Sequence, residues 1–323
     1  MKKRRSSIMK IPSRVYPYRL PYMGSKQNIA YSIMMAIVQK KPKVKYFFDI
    51  FGGGASMSLM AKQFGLKVYY TEKNAGIVNL LNFLKDNKIP KEWIKWINRE
   101  EFKKCLGKDD PYSVFVTVVW SFGNNRQAYL FGKEIEEAKR LVFEIVVNQD
   151  NECLEKLKKL TGLNLKMPQE KLIQNRRLSF TNQLKCSNKK LSLNRTQQIE
   201  RMELLDKLAL TQSLTQLECC SRLQQLEYLQ QLEYLNNLKL PYDEVVIYCD
   251  PPYRNTAEYT DNDFNYKEFD EWVKKLKYDV FISEYNCPFE KIASFGKMSL
   301  LNNSKDKKPL ISDNLYLHKA QRF

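Results

Sequence analysis

Asp250-Pro251-Pro252-Tyr253 follows the apolar run Val245-Val246-Ile247-Tyr248-Cys249, which reads as a buried strand bounded by a turn. A carboxylate, two rigid prolines and an aromatic ring are thereby delivered to the carboxyl end of a strand, where open α/β sheets bind ligands. The prolines offer no backbone donors, but their carbonyls still accept hydrogen bonds. A flat double donor such as the exocyclic amino group of a nucleobase fits this set: the acid and a proline carbonyl each accept one hydrogen, and Tyr253 lies against the ring face. Alone, the tetrapeptide reads more readily as a strand end capped by a Pro-Pro turn, and only the remaining elements overturn that preference.

Those elements form a βαβ pattern. A helical run with apolar positions Ile29, Ala30, Ile33, Met34, Ile37 and Val38 precedes an aromatic-rich strand over 44–51, which runs into Gly52-Gly53-Gly54-Ala55-Ser56. A short helix over 57–64, a strand over 66–71 ending at Glu72, and a helix over 75–84 follow. Glycines at that turn let the backbone approach a ligand, and a strand-end acid at Glu72 takes the two hydroxyls of a ribose. Glu72 also reads as an ordinary solvated acid. The chain lacks the glycine-lysine phosphate loop, which disfavours a nucleoside triphosphate. A nucleoside carrying an amino-acid tail, S-adenosylmethionine, is consistent with what remains. Lys26 could then meet the tail carboxylate and Tyr22 could pack beside the ligand, although Lys26 taken alone reads as one basic residue among 54 lysines and arginines.

Composition narrows the partner. In 323 residues, 54 lysines and arginines face 36 acids, a formal net charge of +18, which favours a polyanion over a small neutral substrate. Seven scattered cysteines without a Cys-x-x-Cys pair, and the single histidine His318, make a metal site hard to assemble and argue against histidine base chemistry. We expect no metal. The odd cysteine count and the absence of a signal-peptide core or a spanning apolar run point to the cytoplasm and away from a membrane.

The character of the chain changes at Ser121-Phe122-Gly123-Asn124-Asn125-Arg126, continuing to Tyr129-Leu130-Phe131-Gly132-Lys133, which reads as a turn or hairpin with amide, basic and aromatic side chains interleaved. Asn124, Asn125 and Arg126 carry groups that read base edges, and Arg126, Lys133, Lys139 and Arg140 could meet phosphates. A polar hairpin facing water is the plain alternative. Leucines at every third position from Leu223 to Leu238 keep no single α-helical face, and we read that stretch as a helical connector. A helix over 266–276 and a strand over 280–283 resume the α/β pattern.

With Tyr22–Lys26, Phe51–Ser56, Glu72 and Asp250–Tyr253 in this order, the chain resembles the Dam-like DNA adenine methyltransferase family. Ser283-Glu284-Tyr285-Asn286 is similar to that family's motif on the strand after the catalytic loop, and Ser121–Asn125 and Tyr129–Lys133 are similar to the start of its recognition region. The resemblance spans 16–133 and 242–289. It implies an α/β fold with a Rossmann-like methyltransferase sheet, helices on both faces, and an inserted, mainly helical target-recognition region. It also implies methyl transfer from S-adenosylmethionine to the amino group of a flipped adenine in double-stranded DNA. The cofactor contacts would be Tyr22, Lys26, Phe51, Gly52, Gly54, Glu72 and Asp250; the adenine would be held by Asp250, Pro251, Pro252 and Tyr253. Expected boundaries are a basic arm over 1–15, a catalytic domain over 16–120 and 241–323, and target recognition over 121–240. Ser25 departs from the family's common glycine and Glu72 from its common aspartate, and much of 134–240 has no match. Alternatives are a protein glutamine methyltransferase, against which Asp250 and the early lysine motif stand; an RNA methyltransferase, which the residues leave open; and a non-catalytic DNA-binding relative, against which Asp250 and Tyr253 weigh. A cognate restriction endonuclease is compatible with the sequence.

Overall fold

The computed structural model describes residues 11–13, 15–16, 19–187, 204, 206–207, 222–254, 264–296 and 312–320. Residues 1–10 and 14 of the basic arm expected over 1–15, and most of 188–221, lie outside them. The chain separates into two compact units: 1–19, 24–85 and 216–323 form one, and 20–23 with 86–215 form the other.

The first unit is built on a seven-stranded sheet. Its strands are β1 (Tyr46–Asp49), β2 (Lys67–Glu72), β3 (Arg222–Gln225), β4 (Val245–Cys249), β5 (Val280–Glu284), β6 (Glu290–Gly296) and β7 (Ser312–His318). Their order is β3-β2-β1-β4-β5-β7-β6. The first five run parallel, with Phe48 opposite both Tyr69 and Ile247, while β7 is antiparallel to β5 and β6. The strand order reverses direction between β1 and β4, and open α/β sheets bind ligands at the carboxyl edge of such a switch point.

Every residue of β4 and β5 is buried, as expected of central strands covered on both faces. On one face Phe48, Ile247, Ile282 and Tyr316 pack with Phe269, Trp272 and Val273 of a helix at Tyr266–Lys274. Asn265 caps that helix by accepting from the Glu268 N–H at 3.1 Å. Asp49, which alternates with Phe48, points to the opposite face and accepts from Ser58 on the helix Ser56–Gln63. Helices therefore cover both faces, as expected.

The leucine repeat does not make a helical connector. Its first residues form the edge strand β3, pairing Glu72 with Gln225, and the rest forms a 3-10 turn at Tyr228–Gln231 and a short helix at Leu232–Asn236. Leu235 is fully buried while Leu229 is exposed, so the three-residue period marks no common face. Gln231 donates to the Thr71 hydroxyl at 3.0 Å, tying this stretch to β2. These contacts place 222–240 with the sheet, so the compact units do not divide at the expected 240/241 boundary.

The second unit is helical among its described residues. Helices at Arg99–Cys105, Pro111–Val119, Lys133–Phe143, Asn151–Thr161 and Ile173–Ser187 carry it. Sequence-local caps start three of them: Asn98 and Glu101 form a capping box, Asp110 accepts from Ser113 with Pro111 following, and Asp150 accepts from Cys153. Trp96 packs edge-on to Trp120 at 4.9 Å and stacks on Phe131 at 5.6 Å. This aromatic cluster joins segments on either side of residue 120, which is why the expected boundary at 120/121 does not separate compact units; the division lies at 85/86.

Candidate active site at the carboxyl edge of the sheet

The parallel strands β1, β2, β4 and β5 end at Asp49, Glu72, Cys249 and Glu284, and Asp250 follows directly after β4. Four carboxylates thus gather at one sheet edge within the first unit. β1 and β4 are neighbours, with Asp49 opposite Tyr248, so the glycine turn and the Asp250–Tyr253 loop leave the sheet side by side.

Lys26 is brought to that loop. It is 4 % exposed, and its Nζ lies 2.7 Å from Asp250 Oδ1 and donates to the Gly24 carbonyl at 3.2 Å. The same ammonium sits 4.5 Å from the centroid of the Tyr253 ring, a cation–π distance. Tyr285 meets that ring edge-on at 4.5 Å. Tyr253 is only 7 % exposed, and burial holds its phenol well above the ordinary range and therefore neutral. A ring so covered offers a ligand its rim more than its face.

The glycine turn is shaped by β2. Gly52 N–H donates to the Thr71 carbonyl at 2.9 Å, and Gly53 and Ala55 both take left-handed backbone, with φ of 47° and 62°. Glu72 accepts from the Gly53 N–H at 2.8 Å and from the Asn74 N–H at 3.0 Å. Those bonds fix the carboxylate in place, and each oxygen can accept a further hydrogen bond from a ribose hydroxyl. Gly52 has a reason that the sequence did not reveal: a Cβ there would stand 2.0 Å from Cε2 of Tyr70, whose hydroxyl donates to the Gly53 carbonyl at 2.8 Å. Gly52→Ala must displace a fully buried ring, and we expect it to lower stability by about 1–3 kcal/mol. A thermal melt checks this, and an unchanged midpoint would contradict it. Phe51 packs on Tyr228, Phe264 and Phe269, at 5.4, 5.8 and 5.7 Å between ring centroids. Gly54 is buried in the turn.

Sequence reasoning missed Asp49. It is 1 % exposed and accepts from the Ser58 hydroxyl at 2.6 Å. Burial pushes its carboxyl up to about 7, opposed by the Ser58 bond and reinforced by the charges of Asp250 and Glu72. Its signal was an acid closing an aromatic strand just before three glycines. Because the folded value exceeds the unfolded one, the folded state holds the proton more tightly, and stability falls as pH rises through that interval. Asp49→Asn keeps an acceptor for Ser58 without titrating. Between about pH 5 and about pH 8 we expect the melting temperature of the wild type to fall relative to that variant. Parallel pH profiles would refute this.

Tyr22 and the hairpin residues belong to the second unit. There, Ser121 bridges Tyr129 and the Phe122 N–H donates to the Ala128 carbonyl at 2.8 Å, closing the expected hairpin. Asn124 and Arg126 take left-handed backbone, with φ of 59° and 60°. The Asn125 side-chain oxygen accepts from the N–H groups of Gln127 and Ala128 at 2.9 and 3.1 Å, so it shapes the turn itself. Arg126 Nε donates to the Thr117 hydroxyl at 3.3 Å. Lys133 is exposed at a helix start, whereas Lys139 is buried with its Nζ 5.8 Å from the Phe131 ring centroid. Arg140 forms a paired bond with Glu137 at 2.7 and 2.9 Å. Phe122, at the start of the hairpin turn, is 63 % exposed.

An edge carrying Asp49, Glu72, Asp250 and Glu284 against one buried lysine suits a ligand with hydroxyls to be accepted and positive charge to be balanced. S-adenosylmethionine has both, in its ribose and in its sulfonium and ammonium groups, so the residues present fit it. Among the described residues, no helix is long and apolar enough to cross a membrane. A family model described as D12 class N6 adenine-specific DNA methyltransferase matches residues 22–308. No curated protein matches the chain.

Proposed function

This chain belongs to the D12 class N6 adenine-specific DNA methyltransferase family, and on that premise we propose that the Asp250–Tyr253 loop holds the target adenine at the carboxyl edge of its sheet. The enzyme methylates adenine in DNA, with S-adenosylmethionine as the donor that the family implies. The observation carrying the proposal is the convergence of Lys26, Asp250 and Tyr253, with a 2.7 Å ion pair and a 4.5 Å cation–π contact.

The lone pair of an adenine amino nitrogen is delocalised into the ring, so the nitrogen is a poor nucleophile. Asp250 and the Pro251 carbonyl each accept one of its hydrogens, which favours a pyramidal nitrogen with its lone pair directed at the methyl donor. A carboxylate oxygen accepts two hydrogen bonds, so Asp250 can serve both Lys26 and the base. The bound cofactor supplies an activated methyl on a sulfonium whose departure leaves a neutral thioether, and this chemistry requires no Lewis acid. As positive charge grows on the nitrogen, Asp250 and the Pro251 carbonyl are acceptors already in place. Pro252 stiffens the loop, and Tyr253, held under Lys26, presents its rim to the base. Extruding the base from the duplex costs a few kcal/mol, about what contacts in the pocket must return.

Glu72 is assigned to the cofactor ribose, Lys26 to its tail, and Phe51, Gly52 and Gly54 to the pocket walls. Asn124, Asn125, Arg126 and Lys133 are assigned to DNA, Lys133 at a phosphate and Asn124 and Arg126 at base edges. Asn125 supports them through the turn that it holds. We place target recognition in 121–215 and the chemistry with the sheet and the Asp250–Tyr253 loop, in the cytoplasm and without a metal. A paired restriction endonuclease is compatible with this assignment.

Supplying methyl-labelled S-adenosylmethionine with duplex DNA, RNA and protein side by side tests the reading. Label should enter DNA alone; label confined to RNA or protein would overturn it.

A further inference from the structure

Two of the four residues in the Asp250–Tyr253 loop are prolines without an N–H. The loop therefore has few backbone groups by which the fold can grip it. Just beyond it, the Arg254 N–H is gripped: it donates to both carboxylate oxygens of Glu284, at 3.1 and 3.3 Å. Glu284 ends β5, is 1 % exposed, and also accepts from the Tyr285 N–H at 2.8 Å. The Arg254 side chain continues the tie. Its guanidinium donates to Asp270 at 2.6 Å and lies 5.1 Å from the Tyr266 ring centroid. Tyr266 and Asp270 stand four residues apart, on one face of the helix Tyr266–Lys274. The end of the loop is thus fastened to a central strand and to a helix packed on the sheet.

Resting on the reading above, we propose that Glu284 is a positioning residue for methyl transfer: through Arg254 and Asp270 it fixes the chain end of the loop that carries Asp250 and the Pro251 carbonyl. Glu284 does not touch the base in this account. Its neighbour Tyr285 extends the same support, since its ring meets Tyr253 and its carbonyl accepts from Asn314 at 2.8 Å and from the Tyr316 hydroxyl at 3.1 Å. Burial pushes the Glu284 carboxyl up to about 7, while the Tyr285 and Arg254 N–H bonds pull it down. A carboxylate kept in so unfavourable a place is consistent with a holding role. Alignment is the quantity at stake, because small misplacements of reacting groups cost far more in rate than in binding.

Glu284→Gln preserves shape but removes the charge and one acceptor. We expect kcat to fall by about 10- to 100-fold, with KM for DNA and for S-adenosylmethionine within about twofold of wild type. Hydrogen exchange at the Arg254 amide should rise by about tenfold or more, since a hydrogen bond to a charged group is lost. Arg254→Gln leaves that N–H in place but cuts the tie to Asp270; it should lower kcat and leave exchange at the backbone amide of position 254 closer to wild type. It also carries the kcat test if Glu284→Gln does not fold. Wild-type kcat in both variants would overturn the inference while leaving the loop's assignment intact. Unchanged exchange in Glu284→Gln would likewise overturn it. A wild-type chain that transfers no methyl to DNA would instead overturn the assignment itself, and the inference with it.

Discussion

Replacing Asp250 by alanine should lower methyl transfer to DNA by about three orders of magnitude, while cofactor or DNA binding survives at least in part. The carboxylate is the acceptor assigned to the amino nitrogen, and an acceptor aimed at developing charge contributes mainly in the transition state. Asp250 is also the partner of Lys26 at 2.7 Å, so the variant leaves a nearly buried ammonium facing an emptied position. That ammonium still has the Gly24 carbonyl and the Tyr253 ring beside it, and the sheet beneath is held by strands that do not depend on Asp250. Single-turnover transfer of labelled methyl, with equilibrium binding measured separately, tests both halves. A variant within tenfold of the wild-type rate, a limit set at about 1.4 kcal/mol, would end the assignment.

Lys26→Met should be nearly as damaging, but through a different route. Its side chain is 4 % exposed and that of Asp250 18 % exposed, so the pair is shielded without being sealed from water. Removing the cation leaves Asp250 close to Asp49, whose carboxyl already responds to its charge, and within electrostatic reach of Glu284. Breaking a fully buried pair costs about 3–5 kcal/mol; with Asp250 partly hydrated we expect about 2–3 kcal/mol in stability. Activity should fall by about 100-fold, because Asp250 and Tyr253 lose the group that sets both in place. Denaturant unfolding measures the first effect and kcat/KM the second. Wild-type stability together with wild-type kcat/KM would show the pair to be incidental.

The carboxyl-edge loops were legible in the sequence because strands buried on both faces announce themselves. Val245–Cys249 is an uninterrupted apolar run, and an acid with two prolines can only follow it as a loop. β6 and β7 were not legible: Glu290–Gly296 is largely solvent-facing, and Asp313 and Asn314 interrupt the apolar pattern of β7. β3 was hidden in the leucine repeat, whose period of three belongs to neither a strand nor an α-helix. At the site, the residue types of Lys26, Glu72 and Asp250 suggested their chemistry. The contact between Lys26 and Asp250 did not follow from the sequence, because it depends on how a segment before β1 returns to the loop after β4. Glu284 was visible only as one letter of a four-residue motif, and its grip on Arg254 arises from tertiary placement that joins the end of β5 to the loop after β4. Gly52 was attributed to a ligand's approach, whereas the Tyr70 ring supplies a sufficient reason within the fold.

Mapping base modifications in DNA from cells that express the chain, beside cells that express Asp250→Ala, reaches the central claim most directly. The account predicts N6-methyladenine at a recurring short sequence in the first sample and its absence from the second. Modified cytosine, or N6-methyladenine that persists with Asp250→Ala, would contradict it.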